Sequence, residues 1–89
     1  MAKSVHDYYL EFLERFEDYS DLDIIKSFNR EVGCGGWGVA RSGYLSALRH
    51  EFNSRNIDIS TISSGKGISY RRRVSFYVLD GKKMVMPIE

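Results

Sequence analysis

Val74-Ser75-Phe76-Tyr77-Val78-Leu79-Asp80-Gly81-Lys82-Lys83-Met84-Val85-Met86-Pro87-Ile88 is the stretch that decides the fold class. Val74, Phe76 and Val78 alternate with Ser75 and Tyr77, the period of two that a half-buried strand requires. Asp80-Gly81 is a hairpin signal, and Met84, Met86 and Ile88 form the returning strand. Two registers compete. A two-residue Asp80-Gly81 loop sets Val78 against Lys83 and Phe76 against Val85. A loop that includes Lys82 pairs Val78 with Met84, Phe76 with Met86 and Val74 with Ile88. The second gathers six apolar side chains on one face and is the favoured expectation, because a one-residue slip turns a buried face outward. Pro87 then falls on the outer face near the chain end, as suits an edge strand.

Upstream, the strand pattern extends back to Ile68, which predicts one long strand over 68–79. Before it, Ser63-Ser64-Gly65-Lys66-Gly67 reads as a flexible turn, and Ile57 and Ile59 alternate with Asp58 and Ser60 as a short strand. Before Asn56 the period is helical. Ser4 with Asp7, and Ser20 with Asp23, have capping-box spacing. Val5, Tyr9, Phe12, Leu13 and Phe16 recur at helical steps, as do Leu22, Ile25, Phe28 and Val32. These predict helices over 5–19 and 21–32, with Gly33 at the left-handed stop. A third helix is predicted over 42–55, with Ser42 as its cap, Tyr44, Leu45, Leu48 and Phe52 on its apolar side, and Asn56 as its stop. The expected architecture is α+β: three N-terminal helices followed by a two- or three-stranded antiparallel sheet, in one domain over 4–88.

Eighty-nine residues hold one core and not two. Five Phe, six Tyr and one Trp supply enough apolar surface to exclude intrinsic disorder. Cys34 is the sole cysteine, so an internal disulfide is excluded and a reduced, cytoplasmic setting is expected. The N-terminal residues lack the apolar core of a signal peptide, and no apolar run reaches the ~20 residues of a membrane span.

Charge is segregated along the chain. Residues 1–32 carry four Lys or Arg against eight Asp or Glu, a net of −4. Residues 33–89 carry nine against four, a net of +5. Such asymmetry points to a polyanionic partner for the basic part. Two groups concentrate the signal. Ser42, Ser46, Arg49 and Asn53 are spaced by four, three and four along the third helix. They form one polar stripe, with Arg and Asn able to contact base edges and Ser suited to phosphates. Arg41 stands ahead of that helix, at its anion-favouring end. Arg71 and Arg73 alternate on a strand, with Lys66 in the turn before it and Tyr70 available to stack. The plainer readings are a solvated helix face and a charged edge strand.

The order of helix, turn, helix, short strand, Gly- and Lys-containing turn and basic strand over about 20–79 resembles the winged-helix branch of the helix-turn-helix superfamily. That resemblance implies a second helix lying in the major groove. Ser42, Ser46, Arg49 and Asn53 would face bases, while Lys66, Arg71 and Arg73 would meet phosphates. Departures are a glycine-rich turn of about nine residues before the third helix, no strand between the first two helices, and an extra strand at 83–88.

Other chemistry is poorly supplied. Gly33-Cys34-Gly35-Gly36-Trp37-Gly38 has the density of a phosphate-cradling loop. It follows a helix rather than a strand, however, and Ala40-Arg41-Ser42 replaces the Gly-Lys-Ser/Thr ending of such loops. The glycines more simply let Trp37 and Val39 fold back under the third helix. Cys34, His6 and His50 stand on different elements and make neither a nucleophile pair nor a metal set. The expectation is a small, non-catalytic, cofactor-free nucleic-acid-binding domain. Its alternative is a protein-interaction or self-association module, taking a protein partner or forming a homodimer, with opposed acidic and basic faces.

Overall fold

Each of the first two helices is started by its own sequence. In the computed structural model, which describes residues 3–33, 38–64 and 67–88, helix α1 spans Val5–Phe16 and α2 spans Asp21–Glu31. The Ser4 hydroxyl accepts from the Asp7 amide at 3.2 Å, and the Asp7 carboxylate accepts from the Ser4 amide at 2.9 Å. Ser20 and Asp23 repeat the arrangement at 3.1 and 3.2 Å. Each box satisfies two amides that a helix start would otherwise leave bare. Helix α1 ends three residues before its expected stop. The Tyr19 amide closes onto the Phe16 carbonyl at 3.0 Å, while the Tyr19 ring stays against Phe16.

Helix α3 spans Gly38–Ser54. Ser42 therefore lies inside the helix and caps nothing, because Val39, Ala40 and Arg41 already continue the helical backbone. Asn56, at φ +57°, takes the left-handed position that ends the helix, as its sequence predicts. One residue governs how α3 meets α1. A Cβ on Gly43 would lie 2.5 Å from the Tyr8 Cβ and 2.8 Å from both the Tyr9 nitrogen and the Val5 carbonyl oxygen. The two helix backbones touch there, at a distance only glycine permits.

The strands are β1 (Ile57–Asp58), β2 (Ser63–Ser64), β3 (Gly67–Ile68), β4 (Val74–Leu79) and β5 (Lys82–Pro87). β2 and β3 make a separate small hairpin. The main sheet has the order β1-β5-β4, with β4 and β5 antiparallel and β1 parallel to β5. The expectation of a wholly antiparallel sheet is thus corrected. β1 leaves the end of α3 at the point where β5 is anchored, since the Lys83 ammonium donates to the Arg55 carbonyl at 3.2 Å. Two strands that start from one point and run alongside each other are parallel. The long strand expected over 68–79 is also broken. Tyr70 turns inward to stack on Phe28 at 4.8 Å, and the chain bends at Arg71-Arg72 before β4 begins.

The hairpin adopts the other register. Val78 pairs with Lys83, Phe76 with Val85 and Val74 with Pro87, around the two-residue turn Asp80-Gly81. Both turn residues have positive φ, +52° and +78°, the combination whose twist matches that of the strands it joins. Pro87 consequently lies on the covered face, not the outer one. The core on that face joins Phe16, Ile24, Ile25, Phe28, Leu48 and Phe52 of the helices to Ile57, Val74 and Val85 of the sheet.

A part-buried ionic junction ties the elements together. The Arg55 guanidinium donates to Glu51 at 2.9 Å, to Asp21 at 3.0 Å and to the Phe16 carbonyl at 2.9 Å. Lys83 reaches the other Asp21 oxygen at 2.8 Å. The ends of α1 and α3, the start of α2 and the start of β5 therefore meet on four charged side chains. Lys83, then Arg55, hold the Asp21 carboxyl below its ordinary range despite its partial burial.

Candidate interaction surface

The register of β4 and β5 determines what the sheet shows to solvent. Side chains alternate along each strand, so Ser75, Tyr77 and Leu79 share a face with Lys82, Met84 and Met86, and Ile88 continues that row. The helices pack on the opposite face. Tyr77, Leu79, Met86 and Ile88 are 46%, 59%, 43% and 48% exposed, and Met84 is half-buried beside them. The outer face of an antiparallel sheet is ordinarily polar. Here it is mainly apolar, and nothing among the described residues covers it.

β4 also has an open side. The Ile88 amide donates to the Arg73 carbonyl at 2.8 Å, so Arg73, Ser75, Tyr77 and Leu79 direct their backbone groups toward β5. Val74, Phe76 and Val78 direct theirs the other way. Val74 is satisfied by a side chain: Asn29 of α2 donates its amide to the Val74 carbonyl at 3.0 Å and accepts from the Val74 N–H at 2.8 Å. The carboxamide takes the place of a neighbouring strand for one residue. The outward groups of Phe76 and Val78 meet no such partner among the described residues.

The residues expected to bind nucleic acid are distributed. Ser42, Ser46, Arg49 and Asn53 are all exposed along α3, as a single stripe. Ser46 and Arg49 border a shallow recess of about 240 Å³ with Leu45, Gly67, Ile68 and Tyr70. Arg73 instead lines a larger groove of about 740 Å³ with Tyr19, Asp23, Lys26, Asn29 and Arg30. The described linings of the two share no residue. Arg71 is exposed in the bend before β4. Arg41 is turned inward: its Nε lies 3.2 Å from the buried Glu31 carboxylate, its guanidinium sits 5.8 Å from the centre of the Tyr70 ring, and a terminal nitrogen reaches the Glu31 carbonyl at 3.5 Å. Burial pushes the Tyr70 phenol far above its usual range. Lys66, Cys34 and Trp37 lie outside the described residues.

Lys26 and Arg30, one helical turn apart on α2, are cations that the sequence reading did not single out. Their helical spacing is legible in the sequence, but their position beside Arg73 depends on the Asn29–Val74 contact 45 residues apart. Glu11 and Glu14 of α1, with Glu17 and Asp18 of the turn after it, gather around Arg15 as an acidic patch. His6 and His50 both lie against the Tyr9 ring, with ring centres 6.0 and 6.2 Å from it. Among the described residues no three His, Cys, Asp or Glu side chains gather as a metal site, and no helix is long and apolar enough to cross a membrane. Comparison with protein-family models, curated proteins and solved structures gave no match.

Proposed function

We propose that this chain is a non-catalytic self-association module that works through its β-sheet. The supporting observation is the uncovered row of Tyr77, Leu79, Met84, Met86 and Ile88. Contiguous apolar surface on a small protein favours burial against another protein surface. Of the cations expected to meet a polyanion, Arg49 and Arg73 line different grooves and Arg41 pairs with Glu31, which favours the apolar row over charge as the basis of the reading. Sedimentation equilibrium tests the reading. The wild-type chain should associate reversibly with concentration, and Tyr77→Lys/Leu79→Lys should remain folded and monomeric. Glu14→Gln on α1 should leave association unchanged. A wild-type chain that stays monomeric through roughly 1 mM, where even a contact of about 4 kcal/mol would register, overturns it.

A second reading, a winged-helix-like nucleic-acid-binding domain, is favoured by one observation, the exposed Ser42-Ser46-Arg49-Asn53 stripe. It requires duplex binding whose logarithm falls with log salt at a slope near −3 to −4 for about four neutralised phosphates. Arg71→Ala/Arg73→Ala would then weaken all sequences alike, and Asn53→Ala would alter sequence preference. Absence of binding at low salt removes this reading.

A further inference from the structure

We infer that the second copy is held by the outer edge of β4, strand against strand and antiparallel, on a two-fold axis through Tyr77. The inference rests on the self-association reading above and adds its geometry. The open edge is self-complementary in only one good way. Among the described residues, Phe76 and Val78 are those of the β4 edge whose outward N–H and C=O groups lack a partner. An axis at Tyr77 places Phe76 of one copy opposite Val78 of the other, and the reverse, which completes four backbone hydrogen bonds. An axis at Phe76 would instead drive Val78 of the second copy against Val74, where the Asn29 carboxamide already occupies the edge.

Length and charge fit the same register. With the axis at Tyr77, residue 79 of the second copy lies opposite Ser75, and its Asp80-Gly81 turn leads away just where Asn29 closes the edge. Asp80 of the second copy then arrives opposite Val74, next to Arg73 and the mouth of the groove lined by Lys26, Asn29 and Arg30. Asp23 also lines that groove and Lys82 flanks Asp80, but the three cations of the groove outnumber its acid. β4 thus has a basic approach, Arg71-Arg72-Arg73, and a single carboxylate, Asp80, at its exit, and antiparallel pairing brings that carboxylate to the approach. On the outer face the two Tyr77 side chains meet at the axis as a directly opposed pair, which adds a stabilising aromatic contact. The product is one six-stranded sheet in which the Tyr77 and Leu79 end of the apolar row packs against Tyr77 and Ser75 of the second copy, with Met84, Met86 and Ile88 away from the seam.

Two variants read the geometry independently. Val78→Pro removes an outward N–H from an edge position where proline is tolerated, and should raise the dimer dissociation constant roughly tenfold or more with an unchanged melting temperature of the monomer. In a Cys34→Ser background, Tyr77→Cys places its Cα about 4.5 Å from its mate, within disulfide reach. Oxidation should therefore give a covalent dimer. Leu79→Cys, which faces Ser75 rather than its own mate, should not. A monomeric wild-type chain overturns both this inference and the self-association reading. A dimer that resists Val78→Pro, fails to cross-link through Tyr77→Cys and is lost on Met86→Lys places the contact face to face. That result overturns the edge pairing alone. If Val78→Pro fails to fold, the Tyr77→Cys and Leu79→Cys pair decides.

Discussion

The two faces of the β1-β5-β4 sheet are built from similar residues and meet opposite fates. Val74, Val85 and Ile57 are buried under the helices, while Tyr77, Met86 and Ile88 on the other side remain open to water. Composition cannot distinguish the two sets. What separates them is a single-residue choice of turn length, because alternation makes every register a decision about which face each side chain occupies. The apolar row that no described residue covers is therefore what the proposed self-association rests on, rather than the sum of charges along the sequence.

The largest expected effect sets neighbouring residues of β5 against each other. Val85→Lys places an unpaired charge in the core and should cost more than about 4 kcal/mol, enough to unfold a domain of this size. Met86→Lys, one residue on, should stay within about 0.5 kcal/mol. Urea denaturation of both variants checks this, and comparable losses would mean that the outer face is not outer. Gly43→Ala probes the helical layer against the sheet. Its methyl group has no room beside Tyr8, Tyr9 and Val5, so α1 must move from α3, at a cost of about 1–3 kcal/mol measured by the same denaturation. Asn29→Ala should cost about 1–2 kcal/mol for two lost hydrogen bonds to Val74, and should strengthen association by lengthening the open edge; sedimentation alongside denaturation separates the two outcomes.

The smallest effect is on pH dependence. Asp21 has a lowered folded-state pKa, chiefly through Lys83 and then Arg55. Its contribution is complete above the unfolded carboxyl value of about 3.9 and is lost as pH falls through the lower folded value. Asp21→Asn should remove this part of the acid sensitivity and leave neutral-pH behaviour of the other carboxylates intact, as followed by melting temperature from pH 6 to pH 2.

Local features were legible in the sequence. Ser4 with Asp7, Ser20 with Asp23 and Asn56 act within three residues of themselves, so the helix starts and the last stop follow from spacing. Features that depend on distant partners were not. Gathering apolar residues on one face favours the wrong hairpin register, because that criterion assumes every such face is covered. The parallel placement of β1 depends on Lys83 meeting the end of α3, and the withdrawal of Arg41 from the surface depends on α2 presenting Glu31 to it. The polar stripe of α3 was readable because helical periodicity alone fixes it, whereas the groove around Arg73 was hidden in the packing of α2 against β4.

The Asn29 carboxamide has one more consequence. A sheet that adds copies at both edges grows into a fibre, whereas one that can add at a single edge stops at a closed pair. Here one edge is β4, closed at Val74 by a side-chain amide. The other is β1, only two residues long. In the proposed pair the asparagine fixes the register at one edge, and the shortness of β1 denies a ribbon the other.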